Sequence, residues 1–175
     1  TYSASTPPSS PPFRCMFASA DIARRSHELL RDLRGALGDE PPCLAQVVEG
    51  ARPFAGLIRS GFPGAVLHEV RAKSYEGMRS TGKVRVELLG GFGAEHVSGR
   101  QVVLIEDIVD TGRTIAALRE HFGALGATGV RVVSLLSKPS RRVVDVEVEH
   151  VGFEIPDEFV IGFGMDLDER YRELP

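Results

Sequence analysis

The stretch VVLIEDIVDTGRTI, residues 102–115, places Glu106, Asp107 and Asp110 close together and follows them with Thr111, Gly112, Arg113 and Thr114. Neighbouring carboxylates repel, so the arrangement calls for a partner that compensates them. An apolar run that ends in acids reads as the carboxyl end of a buried strand, where open α/β sheets bind their ligands. Adjacent strand side chains face opposite ways, which gives Glu106 and Asp107 different tasks. A helix entered near 111–114 offers free backbone N–H groups and a positive dipole end to a phosphate. Thr111 and Thr114 add hydroxyl donors, and Gly112 lets the backbone come close. Phosphate beside carboxylate fits a phosphorylated sugar. The acids can accept hydrogen bonds from ribose hydroxyls, coordinate Mg²⁺ directly or through water, and stabilise positive charge developing on the sugar ring.

The elements that must position this turn follow from periodicity. Ile22, His27, Leu29, Leu30, Leu33 and Leu37 form an apolar stripe that predicts a helix over 20–37, with Gly38 as its stop. Strands are predicted at 43–50, running into a turn, at 64–72, and in KVRVELLG after a polar, Gly-punctuated loop at 73–82. A short helix is predicted over 52–61, with Pro53 in its first turn. RQVVLIED (100–107) is the clearest buried strand, followed by a helix marked by Ile115, Leu118, Phe122 and Leu125 and ended by Gly126. Further strands are predicted at 130–138, 146–153 and 158–163. This alternation argues an α/β fold with a mainly parallel central sheet flanked by helices.

Bulk properties narrow the function. The chain has 175 residues, 42% apolar and 26% charged, with a net charge of −3. These values suit a globular domain and argue against broad attraction to nucleic acid. No apolar stretch reaches membrane-span length. TYSASTPPSSPP reads as a flexible tail over 1–12, leaving 13–175 as one domain. Cys15 and Cys43 lie far apart without metal spacing and read as reduced thiols, which suggests a cytoplasmic location. GMRSTGKV (77–84) mimics a P-loop, but Val84 stands where Ser or Thr must bind magnesium, and strand-like alternation follows. GGFGAE (90–95) lacks the third glycine of a dinucleotide fingerprint. No G-x-S-x-G elbow occurs, and the five histidines are scattered.

VVLIEDIVDTGRT resembles the phosphoribosyl-pyrophosphate (PRPP) binding motif of type I phosphoribosyltransferases. KSYEGMRSTGKV, LLSKP and GFEIPDEFVIGFGMDLDERYRELP extend the resemblance to the hypoxanthine-guanine branch, over roughly residues 44–175. The resemblance implies the type I fold, with a small hood and a mobile loop. It implies a Mg²⁺-dependent purine-salvage transferase acting on PRPP and a 6-oxopurine, in a homo-oligomer (dimer or tetramer), with neither nucleic acid nor membrane as partner. By the same resemblance, Asp110 is the proton acceptor near purine N7, and residues 110–114, Arg113 included, hold the 5-phosphate. Glu106 and Asp107 meet ribose hydroxyls and magnesium or its water. Pyrophosphate lies near Glu49, Gly50, Ser74, Tyr75, Arg142 and Arg172. On the purine side, Lys138 donates to the 6-oxo group, Phe159 stacks, Val160 offers backbone groups, and Asp166 is a metal-linked acid.

Without the resemblance, plainer roles stay open. Asp110 suits a turn former, Lys138 a solvent-facing strand end, Phe159 a core aromatic, Arg142 and Arg172 surface charges, and 74–75 a hairpin tip. A PRPP-binding regulator with little turnover, or a transferase for xanthine or another nucleobase, is the alternative function. One departure stands out. The family commonly carries Lys-Gly in the turn after its first core strand, where this chain has Glu49-Gly50 in VVEGARPF. The expectation is weaker pyrophosphate affinity, or a local substitute cation such as Arg52, with a cis peptide in the turn as the family pattern implies.

Overall fold

A computed structural model of the protein describes residues 14–74, 83–166 and 169–175. Along the chain run α1 (Ser19–Leu37), β1 (Cys43–Val47), α2 (Arg52–Arg59), β2 (Leu67–Ser74), β3 (Val84–Leu88) and α3 (Ala94–Val97). They are followed by β4 (Gln101–Val109), α4 (Arg113–Ala124), β5 (Gly129–Ser137), a 3₁₀ turn (Pro139–Arg141) and β6 (His150–Glu154). The six strands form one sheet in the order β3-β2-β1-β4-β5-β6. All neighbours are parallel except β2 and β3.

Alternation along β4 builds the two halves of the core. Val103 and Ile105 join the cluster that holds Leu29 and Leu33 of α1 and Phe54 and Ile58 of α2. Val102 and Leu104 join the cluster that holds Ile115, Leu118 and Phe122 of α4. A strand buried on both faces needs apolar residues at every position, which is why 102–105 reads as an unbroken run. On the outer side of the sheet, Arg25 of α1 donates from Nε to the Gly152 carbonyl at 2.9 Å and from Nη2 to the Val151 carbonyl at 2.8 Å, so the edge strand β6 is tied to α1.

Several sequence expectations need correction. His27 is exposed, and the buried polar residue on α1 is Ser26, whose Oγ donates to the Ile22 carbonyl at 2.7 Å. Lys73 and Ser74 are not loop residues; they extend β2 and pair with Arg85 and Val84. Tyr75 and the rest of the expected loop, 75–82, lie outside the described residues. The strand expected over 146–153 begins only at His150. Ahead of it the Glu149 carboxylate, rather than a backbone carbonyl, accepts the Val132 N–H at 2.8 Å, and it also pairs with Arg119. No strand forms over 158–163. Gly162, Phe163 and Gly164 have φ of 91°, 47° and 97°, which turns the chain and leaves a lone bridge between Gly162 and Met165. Of the two thiols, Cys15 is exposed, while burial pushes the Cys43 thiol up to about 11, consistent with an unreactive core residue. Among the described residues no helix is long and apolar enough to cross a membrane.

Leu104 is fully buried between β1, β5 and α4. Leu104→Ala is expected to lower unfolding free energy by about 2–5 kcal/mol, the range for a truncated core leucine. Urea denaturation followed by circular dichroism measures it, and a loss below about 1 kcal/mol would contradict this packing.

Candidate functional site

The chain leaves β1 toward β2 on one side of the sheet and leaves β4 toward β5 on the other, so strand order reverses between β1 and β4. At such a reversal the two following loops diverge and open a crevice beyond the carboxyl ends of the strands. Here the diverging loops are 48–51 and 110–112. They line a cleft of about 320 Å³ that brings together Glu49, Gly50, Glu106, Asp107, Asp110, Thr111, Gly112, Thr114, Asp166 and Arg172. Ten of the residues singled out in the sequence therefore share one crevice.

Glycine is what makes the loops fit. A Cβ on Gly50 would overlap the Asp107 carboxylate, and a Cβ on Gly164 would overlap the Gly50 carbonyl oxygen. Gly50 is thus sandwiched between an acid of β4 and the 162–166 turn. The peptide joining Val48 to Glu49 is cis, so the expected cis bond lies one residue ahead of the Glu49–Gly50 pair. Gly112 caps α4 with φ of 86°, and a Cβ there would lie 2.7 Å from the Val144 carbonyl. The Thr111 carbonyl accepts N–H bonds from Val143 and Val144 at 3.0 and 3.2 Å, which braces the turn from behind. Thr111 and Thr114 face the cleft at the start of α4, where backbone N–H groups remain for an anion. Arg113 is exposed at the first helical position and does not line the cleft.

The acids differ as the strand geometry requires. Glu106 is only 6% exposed, and burial, followed by repulsion from Asp107, holds its carboxyl well above the usual range. Asp107 and Asp110 are partly exposed. Asp166 is fixed on the far wall: its Oδ2 accepts the Glu169 N–H at 2.7 Å, and its Oδ1 pairs with Arg172 Nη2 at 2.9 Å. Arg172 Nη1 donates to the Gly164 carbonyl at 2.7 Å, so this arginine also holds the 162–166 turn. Carboxylate oxygens are suitable ligands for a hard divalent cation, and a cation beside Glu106 and Asp107 would offset their repulsion. Among the described residues no three His, Cys, Asp or Glu side chains form a complete metal-holding group, so a magnesium here would share its shell with substrate oxygens and water.

The remaining predicted residues lie around the rim or beyond it. Glu49 faces the cleft and pairs with Arg52 at 3.2 Å, while Arg52 Nε donates to Glu69 at 3.2 Å and Glu69 also accepts from Gln46. Arg52, the substitute cation suggested by the sequence, does not line the cleft and is tied to two carboxylates. Ser74 ends β2, beyond Ala72 of the cleft wall. Arg142 does not line the cleft. Its Nη1 donates to the carbonyls of Val109 and Asp110, and its Nη2 donates to Ser137 Oγ at 2.7 Å. Lys138 is 8% exposed at the end of β5, with Nζ 3.8 Å from Asp157 Oδ1. Phe159, 71% exposed, and Val160 line a separate, larger apolar cavity of about 610 Å³ with Met16, Phe17 and Met165. The larger hollow is lined by none of Glu106, Asp107, Asp110 and Asp166; Glu158 is the acid on its wall. Sequence reasoning missed Arg141 and Asp157. Arg141 Nε lies 3.1 Å from Asp110 Oδ1 and 3.6 Å from Asp157 Oδ1. The Arg-Arg pair after Lys138-Pro139 was the available signal, but spacing cannot show which of two adjacent arginines reaches which acid.

The phosphoribosyl transferase domain model matches residues 17–169. The hypoxanthine-guanine phosphoribosyltransferase of Streptococcus thermophilus is 35% identical over 162 residues, covering 93% of this chain and 89% of that protein. A hypoxanthine phosphoribosyltransferase structure from Staphylococcus aureus superposes with a TM-score of 0.83 at 30% identity, covering 92% of this chain and 87% of its own. A hypoxanthine-guanine phosphoribosyltransferase structure from Bacillus anthracis gives 0.81 at 28% identity, with 93% of each chain covered.

The Glu106 shift gives a pH prediction. An acid whose folded pKa is raised binds more protons folded than unfolded, so stability falls as pH rises from its unperturbed value, 4.5, through the folded value. Glu106→Gln removes this dependence. Without magnesium or substrate, the variant is expected to lose less stability than the parent between pH 5 and 8. Melting temperatures across that range measure it, and parallel curves would show that Glu106 is ionised at no cost.

Proposed function

The chain belongs to the phosphoribosyltransferase family, and from that premise we propose that it makes IMP or GMP in purine salvage. The 5-phosphoribosyl group of PRPP passes to N9 of hypoxanthine or guanine, with release of pyrophosphate. The observation that carries the reading is the crevice at the strand reversal, where the Glu106–Asp107 pair shares one cleft with the mouth of α4 and the 48–50 turn. A binding site that pairs anion donors with carboxylates suits a sugar phosphate whose ring becomes cationic during reaction.

Residues 110–114 are assigned to the 5-phosphate, with Thr111, Thr114 and the backbone at Gly112 as donors and Arg113 contributing charge from the exposed side. Glu106 and Asp107 are assigned to the ribose hydroxyls. Pyrophosphate is assigned to Glu49–Gly50, Ser74, Tyr75, Arg142 and Arg172, with Arg52 as the cation nearest Glu49. The purine is assigned to Lys138, Phe159 and Val160, with Asp166 between purine and pyrophosphate. Magnesium is assigned to Glu106, Asp107 and Asp166, through bound water as well as direct contact, and would supply charge neutralisation for the leaving pyrophosphate.

In the transfer, the bond between ribose C1 and the pyrophosphate oxygen breaks, and its electron pair leaves with pyrophosphate. The ring carries positive charge that Glu106 and Asp107 stabilise by position. The N9 lone pair forms the new bond, and the proton displaced from the purine passes to Asp110. Water must stay out, since the same cation would otherwise be hydrolysed. The segment entered at Ser74 and Tyr75 is assigned to covering the site by resemblance. A homo-oligomer and a cytoplasmic location belong to the same proposal.

Glu49 favours a second reading, a PRPP-binding protein with little turnover, because a carboxylate stands where the family commonly has a lysine. Rates on hypoxanthine, guanine, xanthine, adenine and uracil with PRPP and magnesium decide between them. Nucleotide formation from a 6-oxopurine is expected, and PRPP binding without any product would support the regulator. Within the transferase reading, Asp110→Asn is expected to lower kcat by about 10²–10⁴-fold, the range for a lost general base, while calorimetry still detects PRPP. Lys138→Ala is expected to raise purine KM roughly 10- to 100-fold, from the ~1.5–3 kcal/mol of a charged hydrogen bond. Unchanged purine kinetics would remove Lys138 from the base site. Glu49→Lys is expected to tighten pyrophosphate binding about tenfold or more, as one charge reversal beside an anion implies. Calorimetry with magnesium pyrophosphate measures this, and an unchanged Kd would show that Glu49 does not weaken the subsite.

A further inference from the structure

Two adjacent arginines after β5 grip Asp110 from opposite ends. Arg142 donates to its main-chain carbonyl and thereby fixes the backbone of the turn. Arg141 Nε donates to its side chain, at 3.1 Å from Oδ1. Among the described residues Arg141 is the only side chain bonded to the Asp110 carboxylate. On its other flank Asp157 Oδ1 lies 3.6 Å from the same Nε and 3.8 Å from Lys138 Nζ. Asp157 thus adds a second, longer ion pair to the guanidinium. Arg141 itself sits on the 3₁₀ turn, with about half of its side chain exposed and no part in the core.

We propose that Arg141 is a positioning residue for the proton transfer, holding Asp110 by Oδ1 so that Oδ2 is presented to the purine. The inference rests on the reading of Asp110 as the proton acceptor. In that step the ring N–H bond breaks, its electron pair stays on the purine, and the new O–H bond forms at Oδ2. An aspartate side chain in a turn can rotate, and with neither oxygen held Oδ2 would meet the ring in only a fraction of encounters. Misplacement by about 1 Å costs on the order of 10²-fold in rate. The contact is a single N–H from Nε rather than a two-pronged fork, so a lysine ammonium can replace it in part.

The test compares wild type, Arg141→Gln and Arg141→Lys in steady-state assays with PRPP, magnesium and hypoxanthine, with melting temperatures alongside. R141Q is expected to lower kcat about 10- to 100-fold and to leave the KM for PRPP within about twofold and the melting temperature within about 2 °C, as for a surface substitution. R141K is expected to recover most of the lost kcat. Wild-type kcat in R141Q beside an active parent overturns this inference alone. A kcat loss that R141K fails to recover, or one accompanied by a falling melting temperature, also overturns it, since the contact would then serve something other than orientation. No turnover by the wild-type protein overturns the functional reading and this inference with it.

Discussion

Crowded carboxylates at the end of a buried strand are the constraint around which the molecule is arranged. Glu106 is inside, Asp107 presses on the backbone of the 48–50 turn, and Asp110 begins the next loop. Burial and mutual repulsion raise the proton affinity of Glu106, so the free site stores an electrostatic cost that a cation or cationic sugar relieves. Stability and function therefore pull in different directions at this one place, as is common where a site is shaped for a transient charge.

The rest of the fold supplies rigidity to that arrangement. β4 is buried on both faces and anchored by parallel neighbours on either side, so its carboxyl end is placed by the core and not by the loops. Glycines at 50, 112 and 164 permit backbone approaches that any side chain would block. The acidic cleft and the apolar cavity lined by Phe159 and Val160 are distinct hollows, and Asp110 of the cleft is linked through Arg141 and Asp157 to Lys138.

Charge beside the 48–50 turn is the unusual feature. Glu49 contributes a carboxylate to a cleft already rich in them, and Arg52 answers it while also serving Glu69. Arg172, the one cation among the described residues that line the cleft, is committed to Asp166 and to the Gly164 carbonyl. The cleft thus holds few uncommitted positive groups among its described residues, which throws the burden of neutralising an anionic leaving group onto whatever cation accompanies the substrate.

Much was legible in the chain itself, and for a physical reason. Period-two and period-3.6 patterns, an apolar run ending in acids and a helix-entry turn are local properties, and they disclosed the alternating α/β order, β4, α4 and the turn between them. The motif also disclosed that Glu106, Asp107 and Asp110 would lie together, because residues 106–114 are adjacent in sequence. Patterns were weakest where tertiary contacts set the outcome. The Glu149 side chain took the place of backbone pairing ahead of β6. Left-handed turns at 162–164 replaced an expected strand, and the polar stretch after Ala72 continued as β2 because β3 was there to pair with it. Sequence spacing likewise could not show that Arg141 reaches the Asp110 carboxylate while Arg142 turns to carbonyl groups, or that Glu49 meets Arg52. Those outcomes depend on side-chain directions and on distances between segments far apart in the chain, and only the folded arrangement determines them.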